Sequence, residues 1–199
     1  MFVTFEGLDG SGKTTQVELL RNHLEGQGRE VVTTREPGGT EVGEHIRNVV
    51  LHLDHPVVPW AEAALFAAAR AQLVDEVIAP ALSRGAVVLC DRYIDSSLAY
   101  QGIARGLGVE RVLDLNLQAT RGLLPDRTFL LLVDPGESRR RGGDTRDRIE
   151  REDDEFVQKV DRAYRELAEL FPRRILAVDG SLEPEQLAET IRGQLRDVS

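Results

Sequence analysis

Short apolar runs alternate with longer amphipathic stretches along the whole 199-residue chain. "FVTFE" (Phe2 to Glu6) is β-prone and ends at a glycine-rich turn. From Lys13 the spacing becomes helical, with Val17, Leu20 and Leu24 on one face and Gly26 and Gly28 closing the pattern. "EVVTT" reads as a second strand and "REPGGT" as the loop after it. Val42, Ile46, Val49, Val50 and Leu53 trace a helical stripe that predicts a buried face. Pro56 and Pro59 punctuate the chain before an Ala-rich helix expected from about Trp60 to Gly85. "AVVLC" is a buried-type strand that stops at Asp91. The segment from Ser96 to Gly122 is mostly helical in pattern, with a break expected at "GIARGLG". "TFLLLV" is the next strand and stops at Asp134. Phe156, Val157, Val160, Tyr164, Leu167 and Phe171 mark a helix ended by Pro172. "ILAV" and "PEQLAETIRGQL" supply a last strand and a last helix. Strands alternating with helices predict an α/β fold, a parallel sheet sandwiched by helices. No internal repeat or long linker divides the pattern, so residues 1–199 are expected to form one domain.

Composition narrows the picture. Hydrophobic residues make up 41% and charged residues 30%, the balance of a globular chain. A formal charge of -9 and a pI near 5.0 argue against a general nucleic-acid surface. The single cysteine, Cys90, permits no intramolecular disulfide and no Cys-rich zinc site. "MFVTFEG" lacks the basic and apolar regions of a secretory signal, and "FLLLV" (Phe129 to Val133) is too short to cross a bilayer. These features predict a cytoplasmic protein with neither nucleic acid nor membrane as partner. His52 and His55 read as solvated loop histidines rather than a metal pair.

The strongest motif is "GLDGSGKTT", where Gly7, Gly12, Lys13 and Thr14 satisfy G-x-x-x-x-G-K-[ST] between a strand and a helix. Glycines let the backbone wrap so that successive N–H groups converge on phosphate oxygens. Lys13 adds a mobile charge for the outer phosphates, the Thr14 hydroxyl is a Mg²⁺ ligand, and the helix start adds its dipole. The motif therefore predicts a nucleoside triphosphate site over Gly7, Leu8, Asp9, Gly10, Ser11, Gly12, Lys13, Thr14 and Thr15. No Asn-Lys-x-Asp segment for reading guanine is found. The core strand ends "LCDRY", so Asp91 is placed to orient a Mg²⁺ water while Arg92 faces the same crevice, ready for a second anion.

One further stretch stands out. Ser138 to Glu150 reads "SRRRGGDTRDRIE" and gathers five arginines in an acidic chain. A phosphoryl group in transfer is the kind of anion that such guanidiniums meet.

Together with "FEGLDGSGKTT", the segments "TREPGGT", "LFAAAR", "DRY", "SSLAYQG" and "DRIE" run in an order and spacing that resemble the thymidylate kinase family of bacterial type. The resemblance covers the chain to about Glu150. It implies the P-loop nucleoside monophosphate kinase fold with a lid segment at about 138–150, ATP as phosphoryl donor, Mg²⁺, dTMP as acceptor, and a homodimer. It also implies roles residue by residue. Asp9 takes the sugar 3'-OH and helps Thr14 and Asp91 place the metal. Arg35 and Arg92 clamp the acceptor phosphate. Phe66 stacks on the base, Arg70 reaches its carbonyl edge, and Ser97 and Gln101 make polar contacts to it. Tyr100 crowds the 2' position. Catalysis falls to Lys13, Asp9, Arg92 and lid arginines, with Arg141 and Arg146 favoured and Arg148 structural. Gly142-Gly143 gives the lid freedom to close, and Glu150 assists the metal. Two rivals remain at this stage: a kinase for another monophosphate such as dUMP or UMP, and a nucleotide-dependent switch with no acceptor.

Overall fold

The computed structural model describes residues 1–53, 55–141, 147–149 and 151–196. Among them, five strands form one parallel sheet: β1 (Phe2–Glu6), β2 (Val31–Arg35), β3 (Val87–Asp91), β4 (Arg127–Leu132) and β5 (Ile175–Asp179), in the order β2-β3-β1-β4-β5. The central strands β1, β3 and β4 are nearly all buried, as a sheet covered on both faces requires. Residues alternate between those faces. Val3, Phe5, Leu89, Phe129 and Leu131 pack under α1 (Lys13–Gly26) and α9 (Pro184–Arg196). Phe2, Val88, Cys90 and Leu130 point to the opposite side. That side is covered by α3 (Pro59–Leu73), α4 (Ala79–Ser83), α5 (Ile94–Ser97), α6 (Val109–Thr120) and α8 (Asp154–Leu170).

The Ala-rich helix does run from Pro59 to Ser83, but a π turn at Val74–Ile78 interrupts it between α3 and α4. A second π segment, Leu98–Ala104, continues α5 through the glycine at 102, so the expected break falls later, at Arg105 to Gly108. The stripe on α2 (Glu41–His52) is corrected: Val50 and Leu51 are buried, whereas Val42, Val49 and Leu53 are each more than 40% exposed. Its apolar residues serve two opposite faces, which a single stripe does not reveal. α2 starts on Thr40, whose side chain accepts from Gly43 N, and α8 on Asp153, which accepts from Phe156 N. The beginning of the arginine stretch is itself helical, as α7 (Pro135–Arg141).

Register places the chemistry. Phe5 pairs with Asp91 on β3, and Glu6 with Leu130 on β4, so β1 and β3 end within a residue of each other while β4 runs two residues further. The loops leaving those ends form the crevice where ligands bind in open parallel sheets.

Candidate active site

The turn from β1 into α1 is shaped by glycines. Gly7 has φ +135°, and a Cβ there would lie 2.5 Å from the Leu131 carbonyl oxygen, so the loop begins flush against β4. Gly12, at φ +95°, caps α1 with no side chain, leaving the first-turn N–H groups to an anion. Lys13 is buried, with Nζ donating to the carbonyls of Gly7 (3.1 Å) and Leu8 (2.9 Å) and lying 3.9 Å from Asp9. Burial lowers its pKa, and Arg92 adds to that. The Thr14 hydroxyl donates to Asp91 Oδ2 at 2.8 Å, so an oxygen of the P-loop and one of β3 meet.

Arg92 adopts φ +70°, a strained left-handed backbone for a non-glycine residue, and its guanidinium turns into the crevice. Nη2 donates to Asp9 Oδ1 at 2.6 Å, and Nη1 donates to Ser96 Oγ and Tyr164 OH, each at 3.1 Å. Burial pushes Asp9 upward, but Arg92 and Lys13 outweigh it and hold the carboxyl at about 2. Beneath lies Glu6, fully buried, which accepts from Tyr93 N (2.8 Å), Ser96 N (3.2 Å), Ser96 Oγ (2.6 Å) and Tyr164 OH (3.0 Å). Burial, and then Asp95, raise its pKa. Glu6, Ser96 and Tyr164 were not foreseen; the available signal was a carboxylate closing an otherwise uncharged strand. Arg35 is half-exposed and donates to both Glu44 carboxylate oxygens at 3.2 Å. Arg47, also unforeseen, donates to Pro37 O at 2.8 Å and lines the same cleft.

That cleft has a volume of about 490 Å³. It is lined by the P-loop, by Arg35 and Arg92, and by Phe66, Ser97, Tyr100 and Gln101. Arg70 is not among the described residues that line it. Its guanidinium is 1% exposed and spends its donors on Glu36 (Nε, 2.7 Å), Ser97 Oγ (3.0 Å), Tyr93 O (2.9 Å) and Asn116 Oδ1. Arg70 thus supports Ser97 from below. Burial pushes Glu36 up to about 7 against the pull of Arg70.

The described arginines of the 138–150 stretch divide. Arg141 lines the cleft, pairs with Glu137 at 2.8 Å and donates to Gly180 O at 3.1 Å. Arg139 pairs with Asp154, and Arg148 donates to Val50 O (2.8 Å) and Glu62 (2.6 Å), a supporting position. Ser138 Oγ donates to Asp9 O at 2.5 Å, tying α7 to the P-loop. Gly142, Gly143, Arg146 and Glu150 lie outside the described residues. His52 and His55 are exposed, and among the described residues no group of three or more His, Cys, Asp or Glu is placed to hold a metal. The Thr14 hydroxyl with Asp91 and Asp9 is nevertheless a hard-oxygen set that suits Mg²⁺, an ion that keeps waters and phosphate oxygens in its shell.

The chain is similar to known proteins over most of its length. The family model for thymidylate kinase matches residues 5–191. A thymidylate kinase of Pelotomaculum thermopropionicum is 53% identical over 184 residues, covering 90% of this chain and 85% of the relative. That of Bifidobacterium longum is 49% identical over 203 residues, covering 100% and 98%. Among solved structures, a crystal structure of thymidylate kinase from Ehrlichia chaffeensis superposes with a TM-score of 0.76 at 34% identity, over 89% of this chain and 91% of that one.

Proposed function

The chain belongs to the thymidylate kinase family, and we propose that the cleft carries out that family's reaction, ATP-dependent phosphorylation of dTMP to dTDP, with the residue roles that follow. The observation that supports it best is one cleft lined by the P-loop together with two further guanidinium residues, Arg35 and Arg92, and by Phe66, Ser97, Tyr100 and Gln101. A switch needs only the P-loop.

In this reading the P-loop N–H groups and Lys13 hold the β- and γ-phosphates of ATP. Arg92, pre-set by Ser96 and Tyr164, and Arg35 orient the acceptor phosphate by their guanidinium forks. A phosphate oxygen of dTMP forms the new bond to the γ-phosphorus as the bond to the β–γ bridging oxygen breaks, and ADP leaves. No covalent enzyme intermediate is required, and the protein acts by positioning and charge neutralisation. Asp9, ionised at neutral pH, accepts from the sugar 3'-OH. Phe66 stacks on the base, Ser97 and Gln101 contact its edge, and Tyr100 stands against the 2' position. Arg141 and Arg146 supply charge to the transferring group. Thr14, Asp91 and Asp9 are the residues that would hold Mg²⁺, which would supply charge neutralisation for the transferring phosphoryl group.

The apolar residues left exposed on α2 and before α3, Val42, Val49, Leu53 and Val58, with Trp60 beside them, support a homodimer through this face. No helix among the described residues is long and apolar enough to cross a membrane, and the single free cysteine suits a reducing cytoplasm.

The test is ADP formation from ATP and Mg²⁺ with dTMP, dUMP, UMP, AMP and thymidine offered in turn. Strong preference for dTMP is expected. Preference for another monophosphate would keep the clamp and discard the base contacts, and hydrolysis indifferent to every acceptor would overturn the reading.

A further inference from the structure

Glu62 stands in the first turn of α3 with its side chain 1% exposed. A carboxylate so buried is tolerable only when its oxygens are fully paired. Oε1 accepts from Gln101 Nε2 at 2.8 Å, and Oε2 accepts from Arg148 Nη2 at 2.6 Å. Arg105 reaches one oxygen with Nε and the other with Nη2, each at 3.4 Å. Arg105 is itself anchored by Glu152 at 2.6 Å and lies 4.3 Å from the Phe156 ring centre. Arg148 is anchored by the Val50 carbonyl. Glu62 is therefore held in place by two arginines, Arg105 and Arg148, independently of Gln101.

The consequence for Gln101 is chemical. A carboxylate only accepts hydrogen bonds, so the nitrogen end of the Gln101 amide must be the end facing Glu62. What remains for a ligand is the carbonyl oxygen, an acceptor, and the second N–H. Gln101 is 2% exposed and lines the cleft, so it has little room to present another arrangement. A pyrimidine with a proton on N3 and a carbonyl at C4 offers the matching donor and acceptor. A 4-amino pyrimidine offers the reverse, an acceptor at N3 beside a donor.

We infer that Glu62 is a positioning residue for base selectivity: by fixing the orientation of the Gln101 amide, it selects a 4-oxo, N3-protonated pyrimidine over a 4-amino one. This rests on the reading of Gln101 as a base contact. Phosphate binding and phosphoryl transfer do not pass through Glu62, so its effect belongs to the acceptor base alone.

The experiment compares Glu62→Gln with the wild-type enzyme for binding of dTMP and dCMP by calorimetry, and for steady-state constants. A glutamine keeps the shape, but Arg148 only donates and claims its single oxygen, so its NH2 faces Gln101 and favours the opposite orientation of the Gln101 amide. The dTMP-over-dCMP affinity ratio is expected to fall about tenfold, the scale of one hydrogen bond. KM for dTMP rises and KM for ATP is unchanged. The double variant Glu62→Gln/Arg148→Gln removes the cation with the anion, leaves no unbalanced buried charge, and is read the same way if the single variant does not fold. Arg148→Gln alone keeps Glu62 and is expected to keep the ratio. A wild-type enzyme without preference for dTMP overturns the proposed function and this inference with it. A wild-type enzyme that prefers dTMP, with the same ratio in the variants, overturns the inference alone.

Discussion

Glu36 closes β2 with Oε2 on Arg70 and with Oε1 buried and unpartnered among the described residues. Its carboxyl ionises near 4.5 in an unfolded chain and near 7 here, because burial outweighs Arg70. Between those values the folded protein keeps a proton that the unfolded chain has released, so stability falls as pH rises. Glu6, raised by burial in the same direction, adds to that slope. Asp9 acts oppositely, since its contribution is present above 3.8 and lost only as pH falls toward about 2. Thermal unfolding followed from about pH 5 to about pH 8 is expected to show a falling midpoint, with a shallower fall in Glu36→Gln. An identical slope in the variant would remove Glu36 as the cause. Individual residues were legible in proportion to how local their chemistry is. The P-loop could be read because its parts are neighbours in sequence. Glu6 and Tyr164 are 158 positions apart, and nothing near either one announces the other. Arg70 bonds Glu36, just past β2, and Asn116 of α6, and nothing near Arg70 in the sequence announces either one.

Helix α8 shows how an element can be read correctly and its use missed. Its spacing identified Phe156, Val160, Tyr164 and Leu167 as one buried face, and they are buried against the segment Leu98–Ala104. Periodicity sees a tyrosine as an apolar body, whereas its hydroxyl, at the tip, reaches Arg92, Ser96 and Glu6. Tyr164→Phe keeps the ring and removes only that tip. KM for dTMP is expected to rise about five- to tenfold, the value of one hydrogen bond, with KM for ATP and the melting midpoint little changed. Equal changes in both KM values would mean that the hydroxyl serves the fold rather than the clamp. The two π segments were invisible for another reason. A widened turn is a choice of hydrogen-bond partner, and the residues at Leu98–Ala104 would suit an ordinary helix as well. The extra residue there lies in the very segment that carries Tyr100 and Gln101 to the cleft.

For the molecule as a whole, alternation of strands and helices was enough to foresee a parallel sheet, but not the order β2-β3-β1-β4-β5, which depends on contacts across the chain. The exposed residues of α2 bear on assembly. Sedimentation is expected to show a dimer for the wild type and a monomer for Val49→Glu, and a monomeric wild type would leave that face unexplained. The common level at which β1 and β3 end has a further consequence, for tolerance of length. Thr14 and Asp91 meet at 2.8 Å because Phe5 and Asp91 are register partners. One residue inserted into Val87–Cys90 would advance the strand by about 3.3 Å and turn every later side chain to the opposite face. Such an insertion would leave every site residue in the sequence and still dismantle the site. In this family, then, a gap within β1 or β3 should be rarer than a substitution there, because the count of residues is itself part of the binding geometry.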